Sequence, residues 1–119
     1  MVDTVKISVT DVIGSGFCVA SGDGQKVYEK IAEAFRANEK VELSFSDITD
    51  LTSAFLNAAI GQLYGKFSEE FIRENLSLKD LAKEDRVIMK KVVDRAKSYF
   101  KDTEPYRQAV RDVIGGNDA

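Results

Sequence analysis

Two adjacent hydroxyl residues, Thr52 and Ser53, offer the clearest chemistry in this sequence. They stand where a predicted helix begins, and free backbone amides at a helix N-terminus favour negative charge. A phosphate on either hydroxyl would therefore be tolerated, while its added charge of about −2 would transform a nearby contact surface. The simpler interpretation, which stays open, is that the pair only caps the helix, with Asp50 as a competing cap.

The predicted helix at 52–64 carries no charge, although charged residues make up 31% of the chain. Its apolar residues cover more than one stripe, and such a helix is either enclosed by its own domain or partly covered by another chain. We interpret it, with the preceding loop, as a protein-binding surface and keep burial in the domain's own core as the alternative. The residues expected at this surface are Asp47, Thr49, Asp50, Asn57, Gly61 and Tyr64.

A glycine-rich segment at residues 14–24 suggests a second kind of site, because backbone amides near glycines can surround an anion. The segment lacks the Gly-Lys-Ser/Thr of a Walker loop and the third glycine of a dinucleotide fingerprint. An ordinary turn is therefore the favoured interpretation. A small-ligand module that binds a nucleotide or phosphate is the alternative function, with Gly14, Gly16, Gly22 and Gly24 as its candidate anion loop.

The residue types that most catalysis needs are scarce. The chain has no histidine, which excludes Ser-His and Cys-His nucleophile pairs and the usual nitrogen ligands of zinc. Its one cysteine, Cys18, lies between Phe17 and Val19, and we expect a small buried core residue rather than a nucleophile. We therefore predict a non-enzymatic protein with no catalytic residues, no metal and no cofactor.

Length and charge narrow the class of protein further. At 119 residues the chain fits one domain with a core of its own. Its net charge of −3 gives no general attraction to nucleic acid or anionic lipid, and its longest uncharged stretch is too short to span a bilayer. A single free thiol suits a reducing compartment, so we expect a cytoplasmic protein that binds neither nucleic acid nor membrane.

Hydrophobic periodicity places these features on alternating strands and helices. Strands are predicted around 5–9, at FCVAS in a hairpin with the first strand, at 41–45 and at 76–78. Helices are predicted from Ser21, at 52–64, from Ser68 and at 83–100, with a final helix opened by Pro105. This alternation favours one α/β domain, with a mixed, mostly parallel sheet of four to five strands and about four helices.

The segment LSFSDITDLTSAFLNAAIGQL, residues 43–63, resembles the bacterial STAS-like domain family, whose general function is not established. It is similar to that family's strand, loop, Ser/Thr-rich residues before a phenylalanine, and Gly-x-Leu. Upstream, SGDGQKVYEKI looks like the family's first helix, with Ser21, Gly24 and Val27 at the expected spacing. The resemblance covers about residues 4–100 and implies a STAS-like domain at 1–102, with 103–119 as a helical extension and frayed tail.

The wider STAS superfamily, which includes anti-sigma-factor antagonists, implies a mechanism. Those antagonists are similar to this sequence in placing a hydroxyl pair at a helix start. In them, a partner kinase phosphorylates a serine of the pair, and the phosphate breaks partner binding. By position, the resemblance implies Ser53 as the phosphoacceptor, with Thr52 second. The expected function is a regulatory protein-interaction domain switched by phosphorylation, and the expected partner is a histidine-kinase-like ATPase or related regulator. A homo-oligomer is left open.

Overall fold

Strands and helices alternate along the chain, which confirms the predicted α/β class. The computed structural model describes the backbone of residues 3–110 and the side chains of residues 3–101. The strands are β1 (Thr4–Ser8), β2 (Phe17–Cys18), β3 (Lys40–Ser44), β4 (Asp50–Leu51) and β5 (Leu76–Lys79). The helices are α1 (Val9–Ile13), α2 (Ser21–Arg36), α3 (Ser53–Ala59), α4 (Glu69–Asn75) and α5 (Lys83–Val110), with a 3-10 helix (Gly61–Gly65) after α3.

All described strand pairs are parallel. One sheet has the order β1-β3-β5, with Ile7 opposite Leu43 and Leu43 opposite Leu78, and β2 pairs with β4 in a second, two-stranded sheet. The predicted hairpin between the first two strands is therefore wrong. The reason is that residues 9–13 form a helix, which ends at Gly14 in the left-handed conformation and delivers β2 to the side of β4 instead.

The alternating pattern of the strands separates a core face from a solvent face. Val41 and Leu43 are buried on β3, while Lys6, Ser77 and Lys79 are exposed on its two neighbours. Helices α2 and α4 pack against the core face. The predicted apolar stripe of α2 is confirmed, since all three of its members are buried: Val27, Ile31 and Phe35.

The predicted helix at 52–64 is divided into two elements. Its α-helical part, α3, ends at Ala59, and a 3-10 helix begins at Gly61. Helix α3 packs against α2 on one side and α5 on another, and five of the apolar side chains in this stretch are buried inside the domain. They are Phe55, Leu56, Ala59, Ile60 and Leu63. Enclosure by the domain itself, the alternative left open, therefore accounts for the absence of charge at these five positions, while Ser53, Ala54 and Asn57 are exposed.

The contact between α2 and α3 depends on Gly24. A Cβ atom built on this buried residue would overlap the Phe55 carbonyl oxygen and lie 2.9 Å from the Ala58 Cβ. Only glycine therefore lets the two helix backbones approach this closely. Farther along α2, the Phe35 ring makes edge-to-face contacts with Phe67 and Phe71 at centroid distances of 5.1 and 5.2 Å. These contacts join the end of α2 to α4.

The helix starts agree only partly with the sequence prediction. Ser68 caps α4 by accepting a hydrogen bond from the Phe71 amide, as expected. Ser21, by contrast, does not cap α2, because it is the first helical residue and Ala20 occupies the cap position with no side-chain bond. A side chain caps a helix from the residue before the first helical turn. Helix α2 begins one residue earlier than predicted, so Ser21 lies inside that turn.

Helix α5 is longer than predicted. It runs without interruption as Lys83–Val110, so the prediction of a separate helix opened by Pro105 is wrong for the described backbone. The proposed boundary at 103 falls inside this helix, and residues 111–119 lie outside the described residues. The inward side chains of α5 include Met89, Val92 and Ala96. Across residues 3–110, no helix combines the length and apolar character needed to cross a membrane.

A matched pair of glycine substitutions in α2 tests the helix contact. Gly24→Ala should lower the free energy of unfolding by about 1–3 kcal/mol, because the new methyl group must push α3 away. Gly22→Ala is the control, since nothing lies within 4 Å of a Cβ there, and it should be neutral or stabilise by up to about 1 kcal/mol. Urea unfolding followed by circular dichroism measures both. Equal effects would contradict the close contact at Gly24.

Candidate functional site

Strands β2 and β4 end side by side, and each leads directly into a helix. Because Cys18 is paired in register with Leu51, the starts of α2 and α3 lie at the same end of this small sheet. Two hydrogen bonds from Thr52 connect the strand ends. Its amide donates to the Cys18 carbonyl at 3.1 Å, and its hydroxyl donates to the Val19 carbonyl at 2.8 Å.

The two hydroxyl residues at this end have different surroundings. Thr52 is the N-cap of α3, and its Oγ1 also accepts a hydrogen bond from the Phe55 amide at 3.2 Å. Ser53 is exposed as the first residue of the helix, and its Oγ has no hydrogen-bond partner among the described residues. The Asp50 carboxylate accepts from the Leu51 amide at 2.9 Å, so Thr52 and not Asp50 caps the helix. Ser53 therefore carries the accessible hydroxyl.

The loop before β4 is fixed against Gly16. The Gly16 carbonyl accepts hydrogen bonds from the amides of Thr49 and Asp50, at 2.8 and 3.2 Å. A Cβ on Gly16 would lie 2.7 Å from both the Asp47 carbonyl oxygen and the Thr49 hydroxyl. The glycine is therefore required by close packing of two chain segments.

The segment 14–24 is not one continuous loop. Gly14 ends α1, Gly16 packs against the loop before β4, and Gly22 and Gly24 belong to α2. Packing explains Gly16 and Gly24, whereas Gly22 has open space around it. Binding of a nucleotide or phosphate at these glycines stays a prediction that no observed contact tests.

The residues predicted to form a partner surface do not all share one side of the domain. Four of them are exposed: Asp47, Thr49, Asp50 and Asn57. Gly61 is buried, and a Cβ on it would lie 3.7 Å from the Val92 Cγ1, so its predicted place at an exposed surface is wrong. The reason is that α5 covers this part of the chain. Tyr64 is half-buried beside a groove formed with α5.

Two exposed apolar residues were missed by the sequence reasoning. The side chain of Phe17 is 60% exposed and that of Val19 is 42% exposed, and they flank the buried Cys18. Residues on either side of a buried strand residue face the opposite way, so the burial expected for Cys18 predicts exposure of both neighbours. Phe17 pairs with Asp50, and the Val19 carbonyl binds Thr52. We call the exposed group Phe17, Val19, Asp47, Asp50 and Ser53 the loop surface.

The thiol beneath this surface is held in its neutral form. Cys18 is fully buried, which confirms the expectation for a small core residue. Burial, and then the nearby carboxylates of Asp23, Asp85 and Asp50, raise the pKa of the Cys18 thiol to about 11. Burial also raises the pKa of Asp85, with further contributions from Glu84 and Asp50. Three carboxylates therefore lie close enough to the thiol to disfavour its thiolate form.

Comparison with known families gives one match. The family model described as a STAS-like domain of unknown function (DUF4325) matches residues 23–86, which is just over half of the chain. The matched part runs from the first turn of α2 to the first turn of α5 and includes Thr52 and Ser53. No curated protein matches the chain, and no solved structure matches it either.

The different roles of the two hydroxyls can be tested by alanine substitution. Thr52→Ala should lower the free energy of unfolding by about 1 kcal/mol, because it removes the cap of α3 and the bond to Val19. Ser53→Ala should change it by less than about 0.5 kcal/mol, since its hydroxyl is exposed. Chemical unfolding of both variants measures the difference. A larger loss for Ser53→Ala would contradict the assignment of the cap.

The state of Cys18 can be tested with a thiol reagent. The rise of its pKa from 9.0 to about 11 lowers the thiolate fraction at pH 8 about 100-fold, and burial hinders access as well. We expect slow labelling of the native protein up to pH 9 and rapid labelling in denaturant. Labelling of the native protein as fast as that of a short cysteine peptide would contradict this expectation.

Proposed function

The chain belongs to the STAS-like domain family of unknown function, and from this premise we propose a non-enzymatic regulatory domain that binds another protein through the loop surface. The observation that supports this most directly is the exposure of Phe17 on β2 and of Val19 directly after the strand. Large apolar side chains that remain exposed beside one another are typical anchors of protein–protein contacts.

The charges around these apolar residues indicate the chemistry of the partner. Asp47 and Asp50 are exposed beside Phe17, whereas Asp23 in the first turn of α2 is already paired with Lys26 at 3.5 Å. A partner with an apolar side chain between flanking lysines or arginines would complement this surface in shape and charge. The same acidic character disfavours nucleic acid and anionic membranes as partners.

Ser53 is the candidate switch of this contact. Its hydroxyl is exposed and unbonded among the described residues, whereas that of Thr52 makes two structural hydrogen bonds. A phosphate on Ser53 would add charge next to the apolar contact and close to Asp50. The partner would lose affinity because an apolar group would have to pack beside a newly hydrated anion.

The partner class rests on the family relation. Anti-sigma-factor antagonists of the wider STAS superfamily are regulated by partner kinases, so we propose a histidine-kinase-like ATPase or related regulator as the partner, in the cytoplasm. A second copy of this chain is the alternative occupant of the loop surface. Both would contact the same residues, and the mass of the complex distinguishes them.

Matched valine and serine variants test the proposal. Val19→Ser should weaken partner binding about 10-fold, whereas Val87→Ser should have no effect, because Val87 is also exposed, at 55% against 42% for Val19, but lies on α5. Ser53→Asp should also weaken binding, while Ser53→Asn, of similar size but neutral, should not. The partner is captured from cells with the wild-type chain and all four variants in parallel, and the affinity is then measured by calorimetry.

The set of chains that capture a protein decides the proposal. The proposal requires a protein that is retained by wild type, Val87→Ser and Ser53→Asn and is lost from the other two variants. Capture of the same proteins in the same amounts by all five chains would refute it. Melting curves for each variant show whether a loss of binding reflects a loss of fold.

A further inference from the structure

A half-open groove lies between α4, β5 and α5, away from the loop surface. Its volume is about 220 Å³, and its floor is formed by the buried side chains of Ile60 and Ile72. Leu76, Leu78 and Val93 form the walls and are only half-buried. These side chains keep part of their apolar surface in solvent because no described group fills the space between them.

Adjacent elements of the chain build this groove. Helix α4 runs directly into β5, so Ile72 is followed within one turn by Leu76, and Leu78 points to the same side of the strand as Leu76. Helix α5 then passes along the open side. Val93 and Lys97 are four residues apart on this helix, so both lie on the helix face that borders the groove.

The rim of the groove carries more positive than negative charge. Lys97 Nζ lies 3.0 Å from Glu69 Oε1, and Arg73 lies one helical turn after Glu69. Within residues 3–101, no carboxylate lies within 4.0 Å of the Arg73 guanidinium. The hydrogen bond between the pair raises the pKa of Lys97 and lowers that of Glu69, so both stay charged near neutral pH. Two cations therefore face one anion.

We infer that this groove binds a small amphipathic anion, namely a short aliphatic monocarboxylate. Its chain would pack against Leu76, Leu78 and Val93, and its carboxylate would bind Arg73 and share Lys97 with Glu69. At about 30 Å³ for each water-sized group, the volume holds roughly seven such groups, one fewer than the non-hydrogen atoms of hexanoate, whose tail can extend through the open side of the groove. A ligand this small should bind with a Kd of about 1 mM. The inference is independent of the proposed function, because the two sites share no residue.

Titration of the full-length chain with hexanoate, followed by amide chemical shifts, tests the inference. Hexanoate should shift the amides of α4, β5 and the part of α5 around Val93 and Lys97. Hexylammonium, of equal length and opposite charge, should bind at least 5-fold more weakly, because Arg73 and Lys97 repel it. Equal binding of the two ligands, or shifts confined to other parts of the chain, would overturn the inference.

Two lysine-to-glutamine variants provide the matched comparison. Lys97→Gln should weaken hexanoate binding about 5-fold, since the anion loses a cation and meets an unpaired Glu69. Lys26→Gln breaks a comparable pair, Lys26 with Asp23 at 3.5 Å on α2, outside the groove, and should leave binding unchanged. Both surface pairs contribute little to stability, so both variants should fold. Equal affinities of the two variants for hexanoate would also overturn the inference.

Discussion

The fold depends on the enclosure of α3 between two longer helices. On one side, α2 approaches it so closely at Gly24 that no other residue fits without movement. On the other, α5 covers α3 and the 3-10 helix with Val92 and Ala96. A charged side chain on the inner positions of α3 would lose its water without gaining a partner, which is strongly unfavourable. Packing therefore explains the absence of charge at the buried positions of α3.

This enclosure also fixes where α3 starts. As a result, the two hydroxyl residues at its start have different roles. A cap side chain turns back toward the free amides of its helix, and Thr52 does so while also binding the Val19 carbonyl. The next residue belongs to the first helical turn, and its side chain is directed away from those amides. The side chain of Ser53 consequently makes none of the hydrogen bonds that hold the start of α3, and a change in its charge leaves those bonds intact.

The sequence predicts the elements that a local residue pattern defines. It does not predict the features that depend on contacts between distant parts of the chain. Strands β1, β3 and β5 follow from alternating residues, and the cap at Ser68 follows from its position before an apolar run. The parallel pairing of β2 with β4 joins residues more than 30 positions apart, and no local signal distinguishes it from a hairpin. Burial of Gly61 likewise depends on α5, which follows much later in the chain.

Local patterns in the sequence likewise predict only part of the candidate site. Its hydroxyl pair was found from the sequence, because a cap position and the first helical residue are defined locally. Phe17 and Val19 were instead interpreted as signs of burial, since apolar residues around a cysteine usually indicate a core. Alternation along the strand predicts that Phe17 and Val19 are exposed, but only once residue 18 is known to point inward.

The exposed apolar pair at the end of β2, Phe17 and Val19, differs from the exposed residues of the other strands in a way that the fold does not require. At the exposed positions of β1 and β5, the chain has polar residues: Thr4, Lys6, Ser77 and Lys79. Polar residues of this kind would satisfy the backbone geometry of β2 equally well, because the side chains of Phe17 and Val19 are largely in solvent. Exposed apolar residues on a strand at a sheet edge also favour unwanted association. Since the fold gains little from exposing Phe17 and Val19, their exposure supports the proposal that this surface binds another protein.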